Sequence, residues 1–220
     1  MNFSDDTVVD EFLVMRCQAG DETALAAFVT KWQPPFLRYA SVMTRDPELA
    51  ADAVQESWIK IIRALPRLRE PLKFKAWAYR IITNQCLDSL RARRPSSADV
   101  DTRTVTPIRE LETAEQVAWL LSQLSPMHRS VLALHYLQGF EVAEIAMIVG
   151  KPVGTVKSRL HNAREKFRQL LEAEDKEVSG EDYGDDNGQA RQQDSGLWLR
   201  TLLPVVRYRT INKSLSFGTY

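Results

Sequence analysis

The segment Gly139-Phe140-Glu141-Val142-Ala143-Glu144-Ile145-Ala146-Met147-Ile148-Val149-Gly150-Lys151-Pro152-Val153-Gly154-Thr155-Val156-Lys157-Ser158-Arg159-Leu160 decides how this chain is read. Its pattern predicts a short helix, a glycine corner and a second helix, the arrangement of a helix-turn-helix that reads DNA. Ala146 is small enough for two helices to cross closely, and Gly150 supplies the positive φ that a tight corner needs. Ile145, Val149, Val156 and Leu160 give the pair something to bury. Beyond the corner, Val156, Leu160, Ala163, Phe167 and Leu170 recur at spacings of four and three and form one apolar stripe. At about 100° per residue, Ser158 and His161 fall opposite that stripe. Lys157 and Arg164 edge one side, and Thr155, Arg159 and Lys166 edge the other. Short polar groups at the tip and cations on the flanks suit base edges and phosphates respectively. Ordinary solvation of a bundle helix would explain the polar face, but not the turn residues that come with it.

The 220 residues suffice for one large or two small domains, each with its own core. A formal net charge of zero argues against a nucleic-acid binder until its distribution is considered. Between Lys73 and Arg94 six basic residues face one acid, Asp88, and between Lys151 and Arg168 six face one, Glu165. Between Glu172 and Asp186 stand eight acids and one Lys. The local field draws DNA, so two basic stripes outweigh the neutral sum. Cys17 and Cys86 make no disulfide framework and no metal-type spacing with the three histidines, which fits buried thiols in a reducing cytoplasm. No signal peptide or membrane span is expected, because the N-terminus lacks a basic region followed by an apolar run.

Helical periodicity continues almost throughout, so the fold class is all-α. A first helix is expected over Val8 to Gln18, stopping at Gly20. Asp21 reads as the N-cap of a second, which Pro34-Pro35 should kink or divide. Asp46-Pro47 opens a third, to about Ala64, with an apolar stripe drawn from Leu49, Ala53, Val54, Trp58, Ile59, Ile61 and Ile62. Arg67 to Pro71 is a basic loop, and a fourth helix follows from about Phe74 to Arg93. The first domain is thus residues 1–94, followed by a polar linker at 95–109. A second helical domain, 110–173, starts with a helix near Glu110 to Leu124. Ser125-Pro126 caps the next, and the helix-turn-helix completes it. Residues 174–220 are an acidic tail, disordered through Ser195, ending in an apolar and basic segment. That end is either a flexible appendage or a docking segment.

The fourth helix carries more apolar surface than one core stripe requires. Ala78, Ile82, Cys86 and Leu90 form one line, and Phe74, Trp77 and Ile81 form another beside Arg80, Asn84 and Arg91. Aromatics among cations suit single-stranded nucleic acid. On residue types alone, core packing between several helices explains Trp77 better, and both readings stay open.

Taken together, these residues resemble the extracytoplasmic-function (ECF, group IV) sigma factors of bacterial RNA polymerase over about Gly20 to Leu171. Asp52-Ala53-Val54-Gln55-Glu56-Ser57-Trp58 is similar to the family's region 2.2, which implies that Asp52, Gln55, Glu56 and Trp58 contact the core polymerase. The series Phe74, Trp77, Ile81, Asn84, Asp88, Arg91 is similar to regions 2.3 and 2.4. Lys73, Phe74, Trp77, Arg80, Asn84 and Arg91 would then meet the −10 element, with a flipped base held in the loop Arg69 to Lys73. Leu124-Ser125-Pro126 and the helix-turn-helix are similar to region 4. Thr155, Lys157, Ser158, Arg159, His161 and Arg164 would then read the −35 element. The resemblance further implies promoter DNA and a cognate anti-sigma factor as partners, a cytoplasmic location, and neither cofactor nor metal. Three positions depart from the family pattern: Ala51 lacks an acid beside Asp52, Ala78 replaces a leucine, and Thr83 replaces a basic residue and removes one phosphate contact. The linker is too short for the middle domain of housekeeping sigma factors.

A stand-alone helix-turn-helix regulator is the alternative, with the first domain serving only for dimerisation or sensing. The Asp52 to Trp58 motif and the aromatic, basic fourth helix argue against it. An enzyme is disfavoured: His128, His135 and His161 form no ligand set, and no phosphate loop or nucleophile motif occurs.

Overall fold

Two aspartates start helices as the sequence predicts. Asp21 accepts the Ala24 N–H at 3.0 Å and opens α2, Glu22–Thr44, while Asp46 accepts the N–H groups of Glu48 and Leu49 and opens α3, Pro47–Ala64. The computed structural model describes residues 3–93 and 120–179. Among them all regular structure is helical. Helix α1 spans Phe3–Gln18, starting earlier than Val8, and ends before Gly20 at φ +84°. Helix α4 spans Phe74–Ala92.

Pro34 and Pro35 do not divide α2, which continues through both to Thr44. Proline removes two ladder donors here, but the side chains on either side are anchored. Phe28, Trp32, Phe36, Tyr39 and Met43 are all buried, and tertiary burial outweighs the local cost. Phe28 meets Phe74 edge-on at 4.7 Å, Phe36 meets Trp58 at 5.3 Å and Tyr79 at 5.4 Å, and Trp32 stacks on Phe36. An aromatic cluster drawn from α2, α3 and α4 is therefore the centre of this core. One buried polar link joins α2 to α4. The Tyr39 and Thr83 hydroxyls lie 2.8 Å apart, and the Thr83 hydroxyl also reaches the Tyr79 carbonyl. Thr83 is fully buried, so the phosphate contact expected to be missing there does not belong to the exposed face.

The chain separates into two compact units, Met1–Ser96 with Phe140–Val153, and Ser97–Gly139 with Gly154–Tyr220. Within the first, helix α6 (Val142–Val149) packs on α4, and the Phe140 ring sits edge-on to Tyr79 at 5.3 Å beneath the Lys75 ammonium. The first half of the helix-turn-helix segment therefore counts with α4 rather than with the helix that follows it. Gly150 ends α6 at φ +62°, as its place in the motif requires, and the Gly150 and Lys151 N–H groups both bond the Ala146 carbonyl.

In the second unit, α5 (Pro126–Leu132) starts at the Ser125 cap and continues as a π-helical turn over Ala133–Leu137. Helix α7 runs Val153–Ser179, past the boundary expected at residue 173. Its stripe is as spaced in the sequence: Val156, Leu160, Ala163 and Phe167 are buried and Leu170 half-buried. Arg129 is also buried. Its guanidinium donates to the carbonyls of Leu121, Ser122 and Leu124, which lie at the end of the preceding helix. The linker at 95–109, residues 110–119 and the tail from 180 onward lie outside the described residues.

Cap chemistry makes the first unit acid-sensitive. Backbone donation from Leu49, then the Arg93 guanidinium, hold the Asp46 carboxyl below the usual carboxylate range. A depressed folded-state value means that the stabilisation is present above the unfolded value, about pH 3.9, and is lost as pH falls through the folded one. Asp46→Asn keeps a capping side chain without the titration. Its thermal midpoint should accordingly fall less steeply than wild type's below pH 4; parallel slopes would count against this role.

Candidate functional site

Three exposed faces gather the residues singled out in the sequence. The first is the outer side of α3, where Asp52, Gln55 and Glu56 are exposed on one face. Trp58 is not part of it. Its indole N–H donates to the Gln33 side chain, its ring packs between Phe28 and Phe36, and it is 8% exposed. Trp58 is a core residue because the same α3 stripe must cover the aromatic cluster, so the expected contact role is corrected to a supporting one. Ile59 and Ile62 turn the other way, at 38% and 40% exposure, although the periodicity assigned them to the core stripe. Starting from Gln55, steps of four and three reach Ile59 and Ile62, and that spacing places them on the acidic face. The face is therefore acidic at its start and mixed towards its end, where Ile59 and Ile62 stand beside exposed Lys60 and Arg63.

The second face belongs to α4 and the loop before it. Arg80 and Asn84 are exposed, one turn apart. Arg91 is exposed and pairs with Asp88 at 2.8 Å, and Arg93 pairs with Asp46. Exposed pairs of this kind contribute about 0–1 kcal/mol, so either guanidinium can exchange its carboxylate for a phosphate. Lys73 is exposed and paired with Glu70. Trp77 and Ile81 are half-buried along this face, with Trp77 against Phe74 at 6.0 Å. Phe74 is 1% exposed and packs on Phe28 and Trp32, so its expected place at the nucleic acid is corrected: it closes the loop from beneath. Leu72, which the residue pattern did not single out, is 57% exposed at the loop tip. The deepest groups here are chemically inert, since burial pushes the Cys86 thiol up to about 12.

The third face lies on α7. Lys157, Ser158 and His161 are exposed, together with Asn162, which was not singled out. Thr155 and Arg159 are half-buried at the edges. Arg164 is half-buried and already engaged, donating to the Tyr136 hydroxyl at 2.8 Å with its guanidinium over that ring. It joins α7 to the π-helical turn, so its role at the exposed face is at most shared. His135 packs edge-on against Tyr136. Among the described residues no cluster of His, Cys, Asp and Glu suited to a metal occurs, and no helix is long and apolar enough to cross a membrane.

Residues 28–95 match the sigma-70 region 2 family and residues 114–167 match the sigma-70 region 4 family. The RNA polymerase sigma-H factor of Pseudomonas aeruginosa is 32% identical over 181 residues, covering 74% of this chain and 94% of that protein. The ECF RNA polymerase sigma-E factor of Escherichia coli is 32% identical over 178 residues, covering 73% and 93%. Among solved structures, CnrH in complex with the cytosolic domain of CnrY aligns with a TM-score of 0.59 at 26% identity, covering 74% of this chain and 97% of that one. The sigma factor RpoE of Bartonella quintana, solved with the anti-sigma factor NepR, shares the fold at a TM-score of 0.54 and 22% identity, covering 67% and 96%.

Proposed function

From the premise that this chain belongs to the sigma-70 family of RNA polymerase sigma factors, in its ECF branch, we propose how its three faces divide the work of promoter-specific initiation. The α3 face, with Asp52, Gln55 and Glu56 and continued by Ile59 and Ile62, docks on the core polymerase. A charged rim beside an apolar centre is what a specific protein interface uses. The α4 face and the loop Arg69 to Lys73 take the −10 element as a single strand. Arg80, Arg91 and Lys73 meet phosphates, Asn84 meets base edges, and Trp77 offers a ring edge for stacking. An extruded base costs a few kcal/mol of unstacking, which stacking and edge hydrogen bonds offset. The α7 face, with Lys157, Ser158 and His161 at its centre, reads the −35 element as duplex.

The single observation that carries this division is an exposed α3 face that opens with Asp52 and Glu56 and carries two exposed isoleucines, beside an exposed, basic α4 face on one aromatic core. The protein acts as a regulatory subunit in the cytoplasm and leaves nucleotide addition to the polymerase. The solved relatives held by CnrY and NepR support an anti-sigma partner for this chain as well. The test is co-elution of the full chain with bacterial core polymerase. Wild type should co-elute and direct run-off transcription, while Asp52→Ala with Gln55→Ala should reduce co-elution at least about tenfold with an unchanged thermal midpoint. Retardation of duplex DNA by the chain alone, without co-elution, would favour a stand-alone regulator.

A further inference from the structure

The loop between α3 and α4 has almost no buried side chains of its own to fix its shape. Leu65 at its start and Phe74 at its end are 3% and 1% exposed, but Pro66, Arg67, Arg69, Glu70, Leu72 and Lys73 are all exposed. Its internal backbone bonds are local, Leu68 to Leu65 and Lys73 to Glu70. A surface segment held only by such short-range bonds opens easily. Its shape is held instead from α1, which packs against both 3-10 turns of the loop, Leu65–Arg67 and Pro71–Lys73.

One polar side chain makes the long-range tie. Gln18, the last residue of α1, donates its carboxamide to the Leu65 carbonyl at 3.0 Å and the Leu68 carbonyl at 2.8 Å. Both N–H donors of the amide are thereby used. Leu65 also accepts the Leu68 N–H, so the two carbonyls and the amide close a small ring at the point where the chain leaves α3. The platform under Gln18 is itself held: the Ala19 N–H bonds the Met15 carbonyl, and Arg16 pairs with Asp21, the cap of α2. Leu68 then leads directly into Arg69, Leu72 and Lys73.

We infer that Gln18 is a positioning residue for −10 recognition: its bonds to Leu65 and Leu68 hold the loop in the shape that discriminates the extruded base. The inference rests on the proposed reading of this loop as the base site. Gln18 itself touches no DNA. It acts by limiting the loop to one geometry, and a loose supporting contact degrades selectivity before it degrades binding.

Holoenzyme reconstituted with the full chain, incubated with fork-junction DNA randomised across the −10 element and sequenced after retention, measures base preference at each position. Gln18→Leu removes the donors, and Gln18→Glu sets a carboxylate against two carbonyls. Both variants should keep wild-type co-elution with core polymerase. Preference at the most discriminated position should fall from about tenfold or more to about twofold. Gln18→Lys, which restores a donor, should recover part of it. Leu72→Ala and Lys73→Ala test the loop itself. Unchanged preference in Gln18→Leu and Gln18→Glu, with preference altered by the loop variants, overturns the role of Gln18 alone. Unchanged preference in the loop variants as well overturns the base-site reading and the inference with it.

Discussion

Arg129→Leu should destabilise the second unit by about 2–4 kcal/mol, one of the two largest effects expected in this chain. The guanidinium serves three carbonyls, those of Leu121, Ser122 and Leu124, at a helix end where the Leu121 carbonyl also accepts the Leu124 N–H. Leucine fills part of the space and gains apolar burial, but it removes a buried donor from the Leu121 and Leu124 carbonyls. Arg129→Lys should fall between, because an ammonium keeps the charge but lacks the planar fork that reaches several acceptors at once. Amide exchange in α5 and in the buried turn of α7 around Val156 to Leu160 reads the effect separately from the first unit. Exchange as slow as wild type in Arg129→Leu would show that the carbonyls find other donors and that the cap is dispensable.

Trp58→Ala is expected to cost about 3–5 kcal/mol in the first unit, through loss of a large buried ring and the cavity left behind. The indole spans Phe28 and Phe36, and its N–H satisfies Gln33. The variant should therefore lose about a third or more of a typical domain's stability margin. Urea unfolding followed by far-ultraviolet circular dichroism measures this. The decisive comparison is with polymerase binding: corrected for the folded fraction, Trp58→Ala should bind core as wild type does. A tenfold loss of affinity in fully folded Trp58→Phe would return the residue to the interface.

The contrast between Trp58 and Ile59 shows where sequence reading reached its limit. Helix starts at Asp21 and Asp46, the stop at Gly20, the corner at Gly150 and the stripe of α7 all follow from local chemistry, and all were legible. A cap or a positive φ needs only its neighbours to be recognised. Which apolar side of α3 turns inward depends on where α2 and α4 lie, and periodicity alone spreads Trp58, Ile59, Ile61 and Ile62 over about 160° of the helix. The same non-local information was missing for Pro34-Pro35, where buried aromatics on both sides override a local break, and for Thr83, whose polar side chain is satisfied by Tyr39 from another helix. Of the candidate contacts, those on α4 and α7 with charged or amide side chains came out exposed, Arg159 and Arg164 only in part. The aromatic ones, Phe74 and Trp58, went to the core, because large rings are where a small domain finds most of its burial.

The Tyr39–Thr83 hydroxyl pair also bears on how such a protein can diverge. It fixes the rotation of α4 about its own axis from the inside, so Arg80, Asn84, Asp88 and Arg91 keep their outward bearing whatever they are replaced by. On the proposed reading of this face, duplicated copies of the gene can drift at those four positions and acquire new promoter vocabularies while inheriting an unaltered interior. Diversification of the regulon needs no fresh solution to the folding problem.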